Sequence, residues 1–447
     1  MSDYDTIVVG GGISGLLSAL TLGKKGNNIL LLEKTDALGG NCRTYEPLDY
    51  PGWRVDTGVH AITELVYGPL SKLKKYFDPG KFPIFRRHND YYLRKKDGLE
   101  KFPSTFPGFL KMNALPANDK IILAWDLLNT VISRAIFGVK EKSVYDVISK
   151  HRLSKKTMRF MNALSYLLSG LSMEKTSVSR LLEGSGFSSD GKKGTIKRIV
   201  EMSKLFNNSG YRSQGYPLGG IQSITNGVIA SFSKNVECHT KEEVLKIEKD
   251  QKGFCVSTPD ADYFSDKVVY SGEVKMLPGI IEMPAKWSRQ VKELEQATAM
   301  TIWLGLKEPI KEFNYNGSEV FFDVCDTNKE MFYWLMPVPE LSPRNKSLVG
   351  VSTIIDPKNC HDSEKKLLNT VYSLVPALEK NTEMIHTQIM APEKASVSLN
   401  YFPSIKTPVN GLYVVGTDTD MRSMGITRAG YSVLELLNHY ENSGKKE

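Results

Sequence analysis

The chain has 447 residues, 41% of them hydrophobic, with 58 Lys and Arg against 50 Asp and Glu. That is enough apolar material for two or three domains with sizeable cores. The five cysteines (Cys42, Cys238, Cys255, Cys325, Cys360) form no C-x-x-C, and the seven histidines show no ligand spacing, which argues against a dithiol relay and against a metal centre. Asp3 and Asp5 stand where a secretory leader needs a basic region, so a cytoplasmic chain is expected.

The first element is apolar and β-branched, Ile7 to Val9, and reads as a buried strand. Gly10, Gly12 and Gly15 follow in the spacing G-x-G-x-x-G, and Leu16, Leu17, Leu20 and Leu22 then mark an apolar helix face. Asn28 to Leu32 is a second strand, closed by Glu33. The first glycine allows a tight turn, the second admits a pyrophosphate to the backbone, and the third lets helix and strand pack closely. The N–H groups of the helix start then face the anion. A carboxylate at Glu33 can accept from a ribose hydroxyl and disfavours a 2′-phosphate, hence NADP. A second glycine pair, Gly39 and Gly40, lets the chain pass close to a cofactor, and Arg43 can meet a phosphate.

Together, "EKTDALGGNCR" and the turn before it resemble the FAD signature of the amine oxidase and phytoene desaturase superfamily. "GWRVDTGVHAIT" (Gly52 to Thr63) resembles the D-x-G-x-H segment of phytoene desaturases, carotenoid isomerases and retinol saturases. The resemblance implies that Gly58 lies against the flavin and that His60 faces the ring edge or the substrate cavity. His60 can equally be a core histidine bound to a backbone carbonyl, so it is only a weak catalytic candidate. "GYPLGGIQSITNGVIASF" is similar to the family's segment before its middle βα unit. "HTKEEVLKIEKD" is similar to the strand whose main chain, here Val244, meets the adenine. "GLYVVGTDTDMRSMGITRAGYSVLELL" is similar to the closing motif, which implies roles for Gly416, an acid (Asp418 in preference to Asp420), and the helix start at Met424, Gly425 and Ile426. The cofactor implied is FAD. No second G-x-G-x-x-G is present, because "EGSGFSSDG" at Glu183 has the wrong spacing, so a diffusible electron donor or acceptor is expected.

Between Tyr67 and Phe160, twenty Lys and Arg stand against eight Asp and Glu, so the basic charge is localised. The stretch from Ile121 to Gly138 is too short and too charged to span a membrane. It reads as a core helix, or as a monotopic helix that inserts Phe102, Phe106, Phe109 and Trp125 beside anionic headgroups. No nucleic-acid motif accompanies the basic charge. "ATAMTIWLGLKEPI", "VFFDVCDTNKEMFYWLMPVP" and "SLVGVSTIID" read as strands, and "SEKKLLNTVYSLVPAL" as an amphipathic helix.

The fold class expected is α/β: a Rossmann-like FAD-binding domain of the glutathione reductase type (1–66, 210–283, 396–447) with an inserted α+β substrate domain (67–209, 284–395). The resemblance implies a flavin-dependent oxidoreductase with an apolar isoprenoid or carotenoid-type substrate. Alternatives on the same fold are an amine or protoporphyrinogen oxidase, for which Tyr401 and Phe402 are candidate aromatics, a UDP-galactopyranose mutase-like enzyme, suggested by Asn41, and an escort protein for prenylated partners.

Overall fold

The computed structural model describes residues 3–88, 90–95, 98–103, 106–137, 142–178, 180, 213–313, 315, 317–321, 333–390, 401–419 and 423–443. The segment at Glu183, Cys325 and Asp420 lie outside these residues. β1 (Tyr4–Val9), helix α1 (Ile13–Lys24) and β2 (Ile29–Glu33) form where the apolar pattern places them. β1 and β2 belong to a seven-stranded sheet, whose edge-to-edge order is Lys246–Lys249, Phe254–Ser257, Asp262–Tyr270, β1, β2 and Val236–Thr240. Leu412–Val414 joins it beside Asp262–Tyr270. β1 pairs in parallel with β2 and with Asp262–Tyr270, and β2 pairs in parallel with Val236–Thr240. Val9 stands opposite both Leu32 and Tyr270, so three strands end at one level. Gly10, Glu33 and Ser271 follow directly, at the carboxyl edge where open α/β sheets bind ligands.

α1 is buried from Ser14 to Gly23 because it lies under two other helices, Gln222–Ile229 and the C-terminal Gly425–Ser443. Leu16, Leu17 and Leu20 pack there with Ile224, Val228, Val433 and Leu436. Leu70, Leu73 and Phe77 share that core, although the sequence places them in the inserted unit. Likewise Trp287 and Val291, of helix Ala285–Lys292, pack on the other side of the first sheet with Leu30, Val268 and Val414.

A second seven-stranded sheet has the order Thr382–Met390, Thr298–Leu306, Ser347–Ile355, Tyr333–Pro337, Gly317–Phe321, Asp90–Lys95 and Gly98–Lys101. All its neighbours are antiparallel except Gly317–Phe321 with Asp90–Lys95. One face, with Met300, Ile302, Leu304, Leu335 and Val351, buries Leu367 and Val371 of helix Cys360–Leu374. Helices Phe106–Lys111, Ala117–Phe137, Val144–Ile148 and Lys155–Ser169 form a lobe around Leu123, Val147, Phe160 and Met161. Phe102 stacks on Phe160, with ring centroids 6.1 Å apart, and Phe109 packs on the same core, so neither is the free anchor that membrane insertion calls for. Ile121 and Trp125 are 63% and 62% exposed. Among the described residues no helix is long and apolar enough to cross a membrane.

Candidate cofactor and active site

The glycine turn is held by contacts that only glycine permits. Gly10 sits at φ +102°, and a Cβ on Gly15 would lie 2.0 Å from Gly10 O. Gly12 is the N-cap of α1, with no side-chain cap, so the first-turn N–H groups keep no acceptor from that position. Among the described residues, its chain neighbours aside, nothing comes within 4 Å of where its Cβ would be. The second glycine pair closes one side: Gly39 N–H donates to Gly11 O at 2.8 Å, and Gly40, at φ +55°, lies against Gly12. The result is a backbone cradle, open above Gly12, at a helix N-terminus.

Glu33 is buried at the edge of this cradle. Its Oε2 accepts from Gly11 N–H at 2.7 Å, and its Oε1 accepts from Thr35 N–H and Oγ1–H at 2.8 and 2.7 Å. The carboxylate therefore first fixes the turn. Of its roughly four acceptor sites, one remains for a ribose hydroxyl. Arg43 Nη2 donates to Ala37 O at 2.9 Å, while its buried Nε has no partner among the described residues.

Val244 differs from expectation. It lies between two strands, Val236–Thr240 and Lys246–Lys249, and not within one. The chain here is pinned to the end of β2 instead, by Lys241 N–H to Thr35 O and Glu242 N–H to Glu33 O, both 2.9 Å. Two residues further on, Val244 packs on the core that contains Leu30 and Val268.

The closing motif reaches the same place from the other end of the chain. Gly416, at φ +137°, has its N–H bound to Ser432 Oγ at 3.0 Å, and a Cβ there would sit 3.9 Å from Ser14 Oγ. Asp418 is buried and accepts from Val274 N–H at 3.1 Å, so one of its oxygens anchors the turn Val274–Gly279. Met424 and Gly425 (φ +48°) start the C-terminal helix, but Ile426 points into the core beneath α1 and can offer only its backbone. Thr63 Oγ1 bridges to this helix start, 2.8 Å from Ser423 Oγ and 3.0 Å from Thr427 Oγ1.

That bridge brings the D-x-G-x-H segment against the closing motif. Gly58, at φ +82°, donates its N–H to Gln388 Oε1 at 2.9 Å, and a Cβ there would meet Met390 Cε at 2.5 Å. His60 Nε2 is 2.6 Å from Thr57 O. This is the backbone-satisfied histidine, and the catalytic candidacy weakens accordingly.

Three residues were not singled out by sequence. Asp56 is fully buried and accepts from Thr44 Oγ1 (2.6 Å), Ile221 N–H (3.1 Å) and the Tyr216 hydroxyl. Burial holds its carboxyl above the ordinary range, opposed by His60 and by those hydrogen bonds. Gln388 Nε2 donates to Asp56 O and to Tyr45 Oη at 2.9 and 2.7 Å. Arg428, 2% exposed, donates to the carbonyls of Ser423 and Thr417. Asp56 and Tyr216 stand inside the quoted motifs, which was the available signal. Tyr401 packs with the core that contains Leu30 and Val268.

A glycine cradle at a helix N-terminus, with a strand-end carboxylate and a second cradle wall from the C-terminus, defines a dinucleotide-binding flavoprotein. The family model for flavin containing amine oxidoreductases matches residues 13–429, and the chain belongs to that family of FAD-dependent oxidoreductases. A Methanothermococcus thermolithotrophicus protein from the nifH2 3′ region is 53% identical over 97 residues, 22% of this chain and 89% of its own. All-trans-retinol 13,14-reductase of Danio rerio is 31% identical over 123 residues, covering 24% of this chain and 20% of that enzyme. For 4,4′-diapolycopen-4-al dehydrogenase of Metabacillus indicus the figures are 49% over 115 residues, 23% and 22%. The matches thus span about a fifth of each of these two enzymes. An oxidoreductase from Methanosarcina mazei shares the fold, with TM-score 0.73 and 19% identity over 97% of this chain and 99% of that one.

Proposed function

We propose that the protein is an FAD-dependent oxidoreductase that desaturates, saturates or isomerises a long apolar substrate of the isoprenoid or carotenoid type. The observation that carries this reading is the wall facing Gly58. Met390, Trp303, Gly350 and Met336 lie there, on the face of the second sheet opposite its helix-covered core. The titratable side chains flanking Gly58 in the chain, Asp56 and His60, are both engaged by protein atoms. Such a wall suits hydride exchange at a hydrocarbon carbon, where little protein acid or base is needed. The partial matches to a retinol reductase and a diapolycopenal dehydrogenase support the same class of substrate.

FAD supplies a ring that takes up or returns a hydride. In this reading the cradle shaped by Gly10, Gly12, Gly15, Gly39 and Gly40 receives its pyrophosphate, the donors being the N–H groups at the start of α1, and Arg43 adds a cation. Glu33 and Val244 border the adenosine. Gly416, Asp418, Met424 and Gly425 hold the flavin end, and Gly58 and Met390 exclude water from its edge. Electrons pass to or from a diffusible partner. Ile121 and Trp125, exposed one turn apart, form an apolar face through which the lobe rests on an anionic membrane surface. Exposed Lys150 and Arg152 flank His151, which binds Asp126 next to Trp125.

The test is an anaerobic one. Enzyme with photoreduced FAD is mixed with a detergent-solubilised conjugated polyene, and flavin absorbance is followed together with the polyene bands. Flavin reoxidation matched by a change in the number of conjugated double bonds supports the reading. Turnover of amines and of no polyene would sink it.

A further inference from the structure

A polar row crosses the apolar face just described. Gln388 stands opposite Thr301, Thr301 opposite Ser352, Ser352 opposite Trp334, and Trp334 opposite Val320. Residues directly opposite one another share a face, so this row lies on the face that meets the Gly58 loop. Thr301 Oγ1 donates to Ser352 Oγ at 3.1 Å, and Ser352 Oγ donates to Met300 O at 3.2 Å. The row ends on Trp334. Its Nε1 is buried and has no acceptor among the described residues. The other indole of this face, Trp303, differs: its Nε1 donates to Asp56 O at 3.1 Å.

A buried N–H left without an acceptor costs about as much as a lost hydrogen bond, so native proteins rarely keep one without a use. The position of Trp334 suggests that use. On one side it packs against the cluster of Ala163 and Val320, which Tyr91, Tyr166 and Leu167 also border. On the other it packs with the cluster of Trp53, Val59 and Met336 beneath the Gly58 loop. It stands three strands from Gln388, about 14 Å away at the usual spacing of neighbouring strands.

We infer that Trp334 is a specificity-determining residue whose indole N–H donates to an oxygen on the substrate. That oxygen is a hydroxyl or carbonyl carried by an otherwise apolar chain, about 14 Å from the Gly58 edge. The enzyme therefore prefers an oxygenated isoprenoid to the corresponding hydrocarbon. Neither product nor electron balance changes, since the hydrogen bond forms and breaks with binding. The inference rests on the isoprenoid reading above.

The experiment compares three probes of equal chain length: a polyene hydrocarbon, its terminal alcohol and its terminal aldehyde. Binding to the FAD-loaded enzyme is read from the perturbation of flavin absorbance, with wild type and Trp334→Phe side by side. Phenylalanine keeps the aromatic packing and removes the donor. Wild type is expected to hold the alcohol and aldehyde about tenfold more tightly than the hydrocarbon. Trp334→Phe is expected to reduce that ratio to near one, with hydrocarbon binding unchanged as the control on its fold. A wild type without preference, which needs no variant to detect, or a Phe variant that keeps the preference, overturns the role of Trp334 and leaves the isoprenoid reading intact. Binding of none of the three overturns both.

Discussion

Arg428 clamps Ser423 in a left-handed conformation. Its Nε and Nη2 both donate to Ser423 O, at 3.2 and 2.9 Å, and Ser423 sits at φ +56°. Nη1 reaches Thr417 O at 3.2 Å, so one buried guanidinium ties Thr417 to Ser423, just before the C-terminal helix. A non-glycine residue at positive φ is uncommon and needs such support. Arg428→Lys keeps the charge but loses the planar fork. We expect FAD affinity to fall about tenfold and unfolding free energy to drop by about 1–3 kcal/mol, one buried acceptor being left unmatched. Fluorescence titration with FAD and urea unfolding measure the two; an unchanged Kd would show that FAD binding does not depend on this clamp.

Two glycines within six positions of the end of β1 are expected to behave differently. Gly15→Ala places a methyl 2.0 Å from Gly10 O, so the apoprotein itself should lose more than about 3 kcal/mol of stability. Among the described residues beyond its chain neighbours, Gly12→Ala meets no atom within 4 Å, and its φ of −69° is open to alanine. The apoprotein should melt as wild type does, while FAD binding weakens at least tenfold because the methyl occupies the cradle. Thermal melts with and without FAD separate the cases. If Gly12→Ala binds FAD normally, the cofactor does not lie over Gly12.

Asp56 sets a pH dependence. Burial raises its folded pKa above the ordinary 3.8, so the folded protein binds this proton more readily than the unfolded chain. The resulting stabilisation is complete below the ordinary value and fades as pH rises through the raised one. Asp56→Asn stays neutral throughout. The stability difference between wild type and Asp56→Asn should therefore shrink as pH rises from 4 upwards (on the order of a few pH units), as read by urea unfolding. A difference that grows with pH would mean that the hydrogen bonds from Thr44, Ile221 and Tyr216 outweigh burial.

Membrane contact has its own readout. Vesicles with anionic lipid should sediment the protein at low salt, less so at high salt, and Ile121→Gln with Trp125→Gln should release most of it. Sedimentation that ignores both salt and these substitutions would place the contact elsewhere.

The sequence made the cradle legible because its spacing is local. Gly10, Gly12, Gly15 and Glu33 fall within one βαβ unit, and the strand and helix periods frame them. What remained hidden depends on distant register. Asp56 finds its partners at Thr44, Tyr216 and Ile221, the last 165 positions away. Gln388 reaches Gly58 across 330. Neither pairing leaves a periodic trace. Arg428 was silent for another reason, since its acceptors are main-chain carbonyls that any sequence supplies. Val244 falls outside a strand because Lys241 and Glu242 turn the chain onto Thr35 and Glu33, again a contact between distant segments. Leu70, Leu73 and Phe77 lie beyond the boundary at residue 67, in glycine-poor texture, yet share a core with Leu16, Leu17 and Leu20 of α1.

The most direct measurement is the absorbance spectrum of the protein after incubation with FAD and gel filtration, for wild type and for Gly12→Ala. The expected result is oxidised flavin bands at about one FAD per chain in wild type, in keeping with a single cradle, and their loss in the variant. A wild-type protein that emerges without flavin, although folded, would contradict the cradle's assignment and the oxidoreductase chemistry built on it.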